Sequence, residues 1–382
     1  MAGIYIHIPF CKQRCIYCDF YSTTFGEEIK QKYVEAVQSE LRIRSNEIPD
    51  KKVQTIYFGG GTPSLLSPLQ IELILTTIQQ LFHLESEAEI TLEANPDDID
   101  INYVEAVKRI GINRVSLGTQ TFSPELLRIL RRRHTAEQAK EAVMTLFNNG
   151  ITNISIDLIY GLPGQDLRTW QEDLAKAFEL PITHISSYAL SYEPGTAITQ
   201  MLEAGKIKES ADEILTQMYR ELCDTARLNG FAQYEISNFS RPGYHSRHNS
   251  SYWQFLPYLG IGSGAHSYDG NRIRRNNLPD IKGYIQNLSM GEDEPFDSEV
   301  LNESELLDEL IMLSLRTSKG ILIADLKQKC GEKIFTKVEK LTLKYIDNQY
   351  GEMSPEGYFY FPTKGFIISD YLISEILSKL DD

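Results

Sequence analysis

Three cysteines fall within eight residues, Cys11-Lys12-Gln13-Arg14-Cys15-Ile16-Tyr17-Cys18, directly after an apolar run from Ile4 to Ile8. The spacing is Cys-x3-Cys-x2-Cys. Three thiolates on one short loop can ligate three irons of a [4Fe–4S] cluster and leave the fourth iron open to a substrate or cofactor. A disulfide within the triplet is one alternative. No secretory-type leader precedes Cys11, so a reducing compartment, the cytoplasm, is expected instead. Zinc is another alternative, for which His7 could complete a ligand set. Cys223 and Cys330 stand far away and alone in helix-like apolar surroundings, as buried small hydrophobes do.

Further along the chain, polar residues interrupt apolar runs in a regular way. Gly59-Gly60-Gly61-Thr62-Pro63 lets backbone approach a ligand closely, with a plain tight turn as the competing reading. Glu93, before Ala94-Asn95-Pro96, could accept bonds from ribose hydroxyls or an ammonium. Gly118 to Phe122 follows a further apolar run, and Asp157 lies among Ile154, Ile156, Leu158 and Ile159. An acid inside an apolar strand is costly unless it points into a polar site. Each of these alone is equally a capped loop or a satisfied core group. Arg131-Arg132-Arg133-His134 reads either as a ligand contact or as a solvated basic face. His245, His248 and His266 put three of seven histidines within 22 residues, beside Tyr252 and Trp253.

The elements that would position these groups alternate. Strand-like runs cover 3–8, 55–58, 89–93, 114–117, 153–159 and 184–190. Helical patterns cover 27–46, 68–82, 102–110, 136–148 and 167–178, with Gly111, Gly150 and Gly230 as helix ends. Six strands with intervening helices predict an α/β fold with a parallel barrel or part of one, and active sites of such barrels lie at the strands' C-terminal ends. The chemically useful residues above fall at those ends.

At 382 residues the chain can bury a large core and is expected to hold one large domain and a smaller one. No apolar run approaches the ~20 residues of a membrane span. Lys plus Arg is 38 against Asp plus Glu 53, a net charge of −15, which argues against nonspecific nucleic-acid binding. From Glu292 to Glu309 there are nine acidic residues and no Lys or Arg, which reads as a linker followed by a helix from about Ser304. The expected domains are 1–205, a barrel-completing region 206–295, and a C-terminal domain 296–382.

The triplet, with Tyr17 before its last cysteine, resembles the signature of the radical S-adenosylmethionine (SAM) superfamily. That resemblance implies a partial (β/α)6 TIM-type barrel. It also implies SAM chelated to the open iron and cleaved by one electron to a 5′-deoxyadenosyl radical. His7 to Cys11, Gly59 to Pro63, Gly118 to Phe122 and Ile156 to Pro163 look more narrowly like the oxygen-independent coproporphyrinogen III oxidases and their relatives, through nearly all of the chain. Carried over by position, the resemblance implies Tyr5, Tyr17, Gly60, Gly61, Thr62, Glu93, Gln120, Arg132, Asp157 and Ala189 as SAM-site residues, with Cys11, Cys15 and Cys18 on the cluster. Arg132 would offer a bidentate carboxylate contact. His266 falls where the oxidases line the cofactor site. The C-terminal part resembles their winged-helix-like domain, read here as a lid or docking domain without nucleic acid.

Two departures from the oxidase pattern point to a sub-family. Phe20 stands where the oxidases carry a fourth nearby cysteine, and the expected first strand begins two residues into the chain, without their N-terminal extension. Both features look like the HemW group of heme chaperones, as does Arg247-His248-Asn249-Ser250-Ser251-Tyr252-Trp253, which matches that group's HNxxYW element. The resemblance implies heme as a ligand. His248 would be an axial candidate, Tyr252 a rarer phenolate ligand and Trp253 a flat surface, with His245 a further imidazole. For any one histidine, a ring packed under a loop is the competing reading. The implied function is heme delivery to an acceptor protein, with an electron donor for the cluster. The alternatives are radical decarboxylation of coproporphyrinogen III to protoporphyrinogen IX, or radical SAM chemistry on another substrate.

Overall fold

The computed structural model describes residues 2–293 and 295–380. Six parallel strands pair in chain order: β1 (Ala2–Ile8), β2 (Lys52–Gly60), β3 (His83–Ala94), β4 (Arg114–Gln120), β5 (Asn153–Tyr160) and β6 (His184–Ala189). The connections are α1 (Glu27–Arg44), α2 (Pro68–Leu81), α3 (Ile101–Arg109), α4 (Pro124–Ile129) with α5 (Ala136–Asn148), and α6 (Leu167–Phe178). This is the partial (β/α)6 barrel, left open because β6 does not meet β1. Side chains alternate along each strand. Ile4, Ile6, Ile8, Ile56, Phe58, Ile90, Leu92, Val115 and Leu117 join the helices in the hydrophobic core. The opposite phase, Tyr5, His7, Tyr57, Glu93, Arg114, Ser116 and Asp157, gives the concave side its polar lining.

Local chemistry sets the helix boundaries. Ser67 with Gln70 and Thr135 with Gln138 form reciprocal caps at the starts of α2 and α5. Gly111 and Gly150 follow α3 and α5 at φ +107° and +83°, a region L side chains avoid. β3 begins at His83 rather than near Glu89, because an exposed polar stretch pairs with the start of β2 (Lys52 to His83, Val53 to Leu84). A polar edge of this kind carries no apolar signal.

The sheet continues beyond the six strands. After α7 (Ala197–Glu203) and α8 (Asp212–Leu228) come β7 (Ala232–Gln233) and β8 (Asn238–Ser240), β8 antiparallel to β6 and β7 antiparallel to β8. After α9 (Arg247–Trp253), β9 (Tyr258–Ile261) lies parallel to β1 on its other side. β10 (His266–Tyr268), β11 (Ile273–Asn277) and, after α10 (Ile281–Ser289), β12 (Phe296–Val300) extend that edge antiparallel, giving twelve strands. The fully buried Glu40 of α1 ties this extension down. It accepts from Arg44 Nη1 (2.7 Å), Asn277 Nδ2 (2.7 Å), the Gly262 amide (2.8 Å) and the Tyr284 hydroxyl (2.6 Å).

The small C-terminal unit contains α11 (Glu303–Leu315), β13 (Ile321–Leu322), α12 (Ile323–Asp347, two halves about Gly331), β14 (Glu352–Met353), β15 (Tyr358–Tyr360), α13 (Thr363–Phe366) and α14 (Ser369–Leu377). Its helix, strand, helix, helix, strand, strand order is that of a winged helix. Residues 296–300, expected in this unit, instead form the edge strand of the main sheet, so the small unit starts at α11. The acidic stretch owes its place there to β11, where Arg274 pairs with Glu309 (2.6 Å), Arg275 with Asp293 (2.9 Å), and the neighbouring Arg272 with Glu303. Glu294 lies outside the described residues. Among the described residues no helix is long and apolar enough to cross a membrane.

Candidate functional site

The cysteine loop leaves β1 and is stitched back by two backbone bonds, Cys11 N to Thr23 O (2.8 Å) and Thr23 N to Pro9 O (2.6 Å). His7 closes the turn, bonded to the Tyr21 carbonyl (3.1 Å) and the Tyr5 hydroxyl (3.0 Å). The loop after β2 packs against it. A Cβ on Gly61 would lie 2.8 Å from Phe10 O and 3.1 Å from Cys11 Sγ, so only glycine lets the two loops approach this closely. Thr62 Oγ1 lies 3.6 Å from Cys11 Sγ. All five cysteines are free and half-buried, and Cys11, Cys15 and Cys18 open into one cleft of about 490 Å³. Burial, then the neighbouring Cys15 and Cys11, pushes the Cys18 thiol up to about 11. Among the described residues no three such side chains close around a point as the ligands of a single ion would. As donors, three free thiols beside a glycine-lined cradle fit a cluster.

The cleft's floor comes from the strand ends. Glu93 Oε1 accepts from the Tyr57 hydroxyl (2.6 Å) and Oε2 from the Gly60 amide (3.1 Å). Burial pushes its carboxyl up to about 7. Asp157 accepts from Ser116 Oγ (3.1 Å) and is likewise raised by burial. Gln120 ends β4 at φ +68°, a conformation that costs a non-glycine residue about 1 kcal/mol or more and persists where the surroundings impose it. Asp173 of α6 does the imposing, accepting from Thr121 Oγ1 (2.6 Å) and the Phe122 amide (2.7 Å).

Arg132 is half-buried, and its fork is committed within the protein. Nη1 donates to Cys15 Sγ (3.2 Å), and Nη2 to Asn95 Oδ1 (2.5 Å) and the Gly118 carbonyl (2.6 Å), leaving only Nε without a partner among the described residues. In this arrangement the guanidinium supports a cysteine sulfur beside the cleft. Its neighbour Arg133 pairs with Asp97 and Asp98, so the triple arginine is not simply a solvated face.

Cys11, Cys15, Cys18, Tyr17, Gly60, Gly61, Thr62, Glu93, Gln120, Arg132, Asp157 and Ala189 thus line one cleft. Arg114 joins them and was missed from sequence. It is fully buried between Glu93 and Asp157, with Nε and Nη1 unpartnered among the described residues. Its phase along β4, shared with Ser116 and Gly118, was the available signal.

Residues 5–177 match the Radical SAM superfamily and residues 301–358 the HemN C-terminal domain. The heme chaperone HemW of Lactococcus lactis is 36% identical over 93% of both chains, and HemW of Synechocystis is 38% identical over 85% of this chain and 80% of its own. The chain belongs to the HemW family. Its fold is also that of coproporphyrinogen III oxidase (HemN) from Escherichia coli, a radical SAM enzyme, at a TM-score of 0.83 and 22% identity over 100% of this chain and 90% of that one.

The HemW-like HNxxYW segment is the short helix α9. Glu89 caps it, accepting from the Arg247 and His248 amides (3.1 Å each). His248 is fully buried, its Nδ1 bonded to Thr55 Oγ1 (2.9 Å) and Nε2 to the Tyr252 hydroxyl (2.8 Å), with its ring stacked on Tyr57. Both nitrogens are used inside the barrel, so neither faces a metal, and Tyr252 is held in the same bond. Burial, then Arg114, lowers the ring to about 3 and keeps it neutral. Trp253 lines a smaller cavity of about 380 Å³ with Tyr252 and Asn249. His245 stacks on Tyr234 at 4.2 Å. Tyr5 and His266 lie outside the cysteine cleft, in a further cavity of about 590 Å³. Phe20, 62% exposed, lines all three.

Proposed function

We propose that this chain handles heme with the help of a [4Fe–4S] cluster and SAM, binding heme and passing it to an acceptor protein. What carries the cofactor part is the convergence of three free cysteines and the polar strand ends on one cleft. What supports the heme part is the printed name of relatives alignable over nearly the whole chain. Bound there, the cluster would supply an open iron for SAM and one electron from a donor protein. The chain's own groups do the rest. Cys11, Cys15 and Cys18 would hold three irons, and Arg132 donates to Cys15 Sγ to place that ligand. Gly60 and Gly61 bring backbone to the ligand, while Glu93 and Asp157 accept its hydroxyl or ammonium hydrogens. Gln120 and Ala189 would wall the adenosyl side. Five thiols without a disulfide suit a reducing compartment, and we assign the cytoplasm.

The test is a paired assay on the anaerobically reconstituted chain: heme titration followed by the Soret band, beside coproporphyrinogen III turnover with SAM and a reductant. Heme uptake without turnover is expected. Robust turnover without heme uptake would overturn the reading in favour of the oxidase.

A further inference from the structure

We propose that heme is seated in the 590 Å³ cavity beside the cysteine cleft, with His266 as its axial ligand and Arg274 as a partner for its carboxylates. This rests on the heme reading above and adds the site. Elimination among the seven histidines comes first. His7, His134, His184 and His248 are buried and bonded inside the protein. His83 is exposed at the N-terminal end of β3, opposite the cleft, and His245 lies flat on Tyr234. His266 alone is an exposed ring lining this cavity, and among the described residues neither of its nitrogens is hydrogen-bonded.

The remaining walls suit a flat, apolar dianion. Phe20, Tyr252, Phe255, Tyr258 and Tyr268 supply aromatic surface. Arg274 stands across the β10–β11 pair from Tyr268, its guanidinium 5.3 Å over that ring, with Nη2 held by Glu309 (2.6 Å) and Nε buried without a partner among the described residues. A planar guanidinium is suited to a carboxylate, and a neutral imidazole is a common axial ligand of heme iron. Burial and the nearby Arg274 both lower the His266 pKa, so the ring is neutral at physiological pH. A volume of this size lies within the range of small-molecule sites, about 300–1,000 Å³. Asp19 and Phe20 line both this cavity and the cysteine cleft, so the two ligands would share a wall, and Leu313 of α11 closes part of the rim.

The experiment titrates the cluster-loaded full chain with hemin and, separately, with metal-free protoporphyrin IX, in wild type, His266→Ala, His248→Ala and His245→Ala. His266→Ala is expected to weaken hemin at least tenfold and shift its Soret band, leave protoporphyrin binding and iron content unchanged, and regain the wild-type spectrum with added imidazole. The His245→Ala chain is expected to keep the wild-type hemin spectrum and affinity. A hemin spectrum and affinity unchanged in His266→Ala overturns the axial assignment while the heme reading stands, and so does an equal loss of both porphyrins. Loss of the wild-type axial spectrum in His248→Ala, with iron content intact, moves the ligand to α9 and overturns it too. A wild-type chain that takes up no hemin overturns both proposals.

Discussion

Glu93 offers the sharpest test of the cofactor cleft. Its two carboxylate oxygens already accept from Tyr57 and Gly60, and burial holds its carboxyl at about 7. An ionised carboxylate keeps lone pairs for a ligand donor, whereas a protonated one places a hydrogen on an oxygen that must accept. SAM binding through Glu93 should therefore follow its ionised fraction. With a pKa near 7 that fraction is roughly 0.1 at about pH 6 and roughly 0.9 at about pH 8. Affinity is expected to rise about tenfold between them, about 1.4 kcal/mol. Anaerobic calorimetric titration of the reconstituted chain with SAM, in wild type and Glu93→Gln, reads this directly. The ligand's own amino group titrates alike in both, so the difference in slope belongs to Glu93. The same slope in both chains refutes the assignment.

Cys11→Ser, Cys15→Ser and Cys18→Ser are each expected to abolish cluster assembly, and iron and sulfide analysis near wild-type levels in Cys15→Ser would contradict it. Glu40→Ala removes the acceptor for four buried donors and should cost about 3–5 kcal/mol, measured as a drop in the urea midpoint. Glu235 is buried with its carboxyl raised to about 7 and Oε1 unpartnered among the described residues. The folded chain thus binds more protons than the unfolded one between about pH 4.5 and 7, and stability falls as pH rises through that window, on the order of 3 kcal/mol for this group. Glu235→Gln should flatten that fall in a pH series of thermal midpoints, and an unchanged slope would count against it.

The six barrel strands were legible because outward Ile, Val and Leu recur with period two along most of them and two of the intervening helices, α3 and α5, end at glycines. The site residues were legible for a related reason: polar residues interrupt those runs at one end. What stayed hidden lacked an apolar pattern. β7, β8 and β10 to β12 are short and mostly polar, β9 spans only four residues, and β12 reads as an acidic linker until the arginines of β11 are placed against it. The histidines show the other limit. Spacing puts His245, His248 and His266 together, yet only packing shows that His248 is bonded on both nitrogens while His266 is open. Arg132 and Arg114 differ in the same way, one committed to a cysteine and the other partly unpaired, and nothing in their flanking residues separates them.

The pairing of β1 with β9 bears on how such a chain matures. β1 carries the cysteine loop, and its second edge is filled only by Tyr258–Ile261. About 250 residues separate Cys11 from that partner, which at a synthesis rate of about 5–20 residues per second is on the order of 10–50 s. Throughout that interval the thiol-bearing strand is a sheet edge with unpaired backbone, open to mispairing. A chain truncated before residue 258 would keep the bonds that stitch the cysteine loop but leave that edge of β1 without its partner.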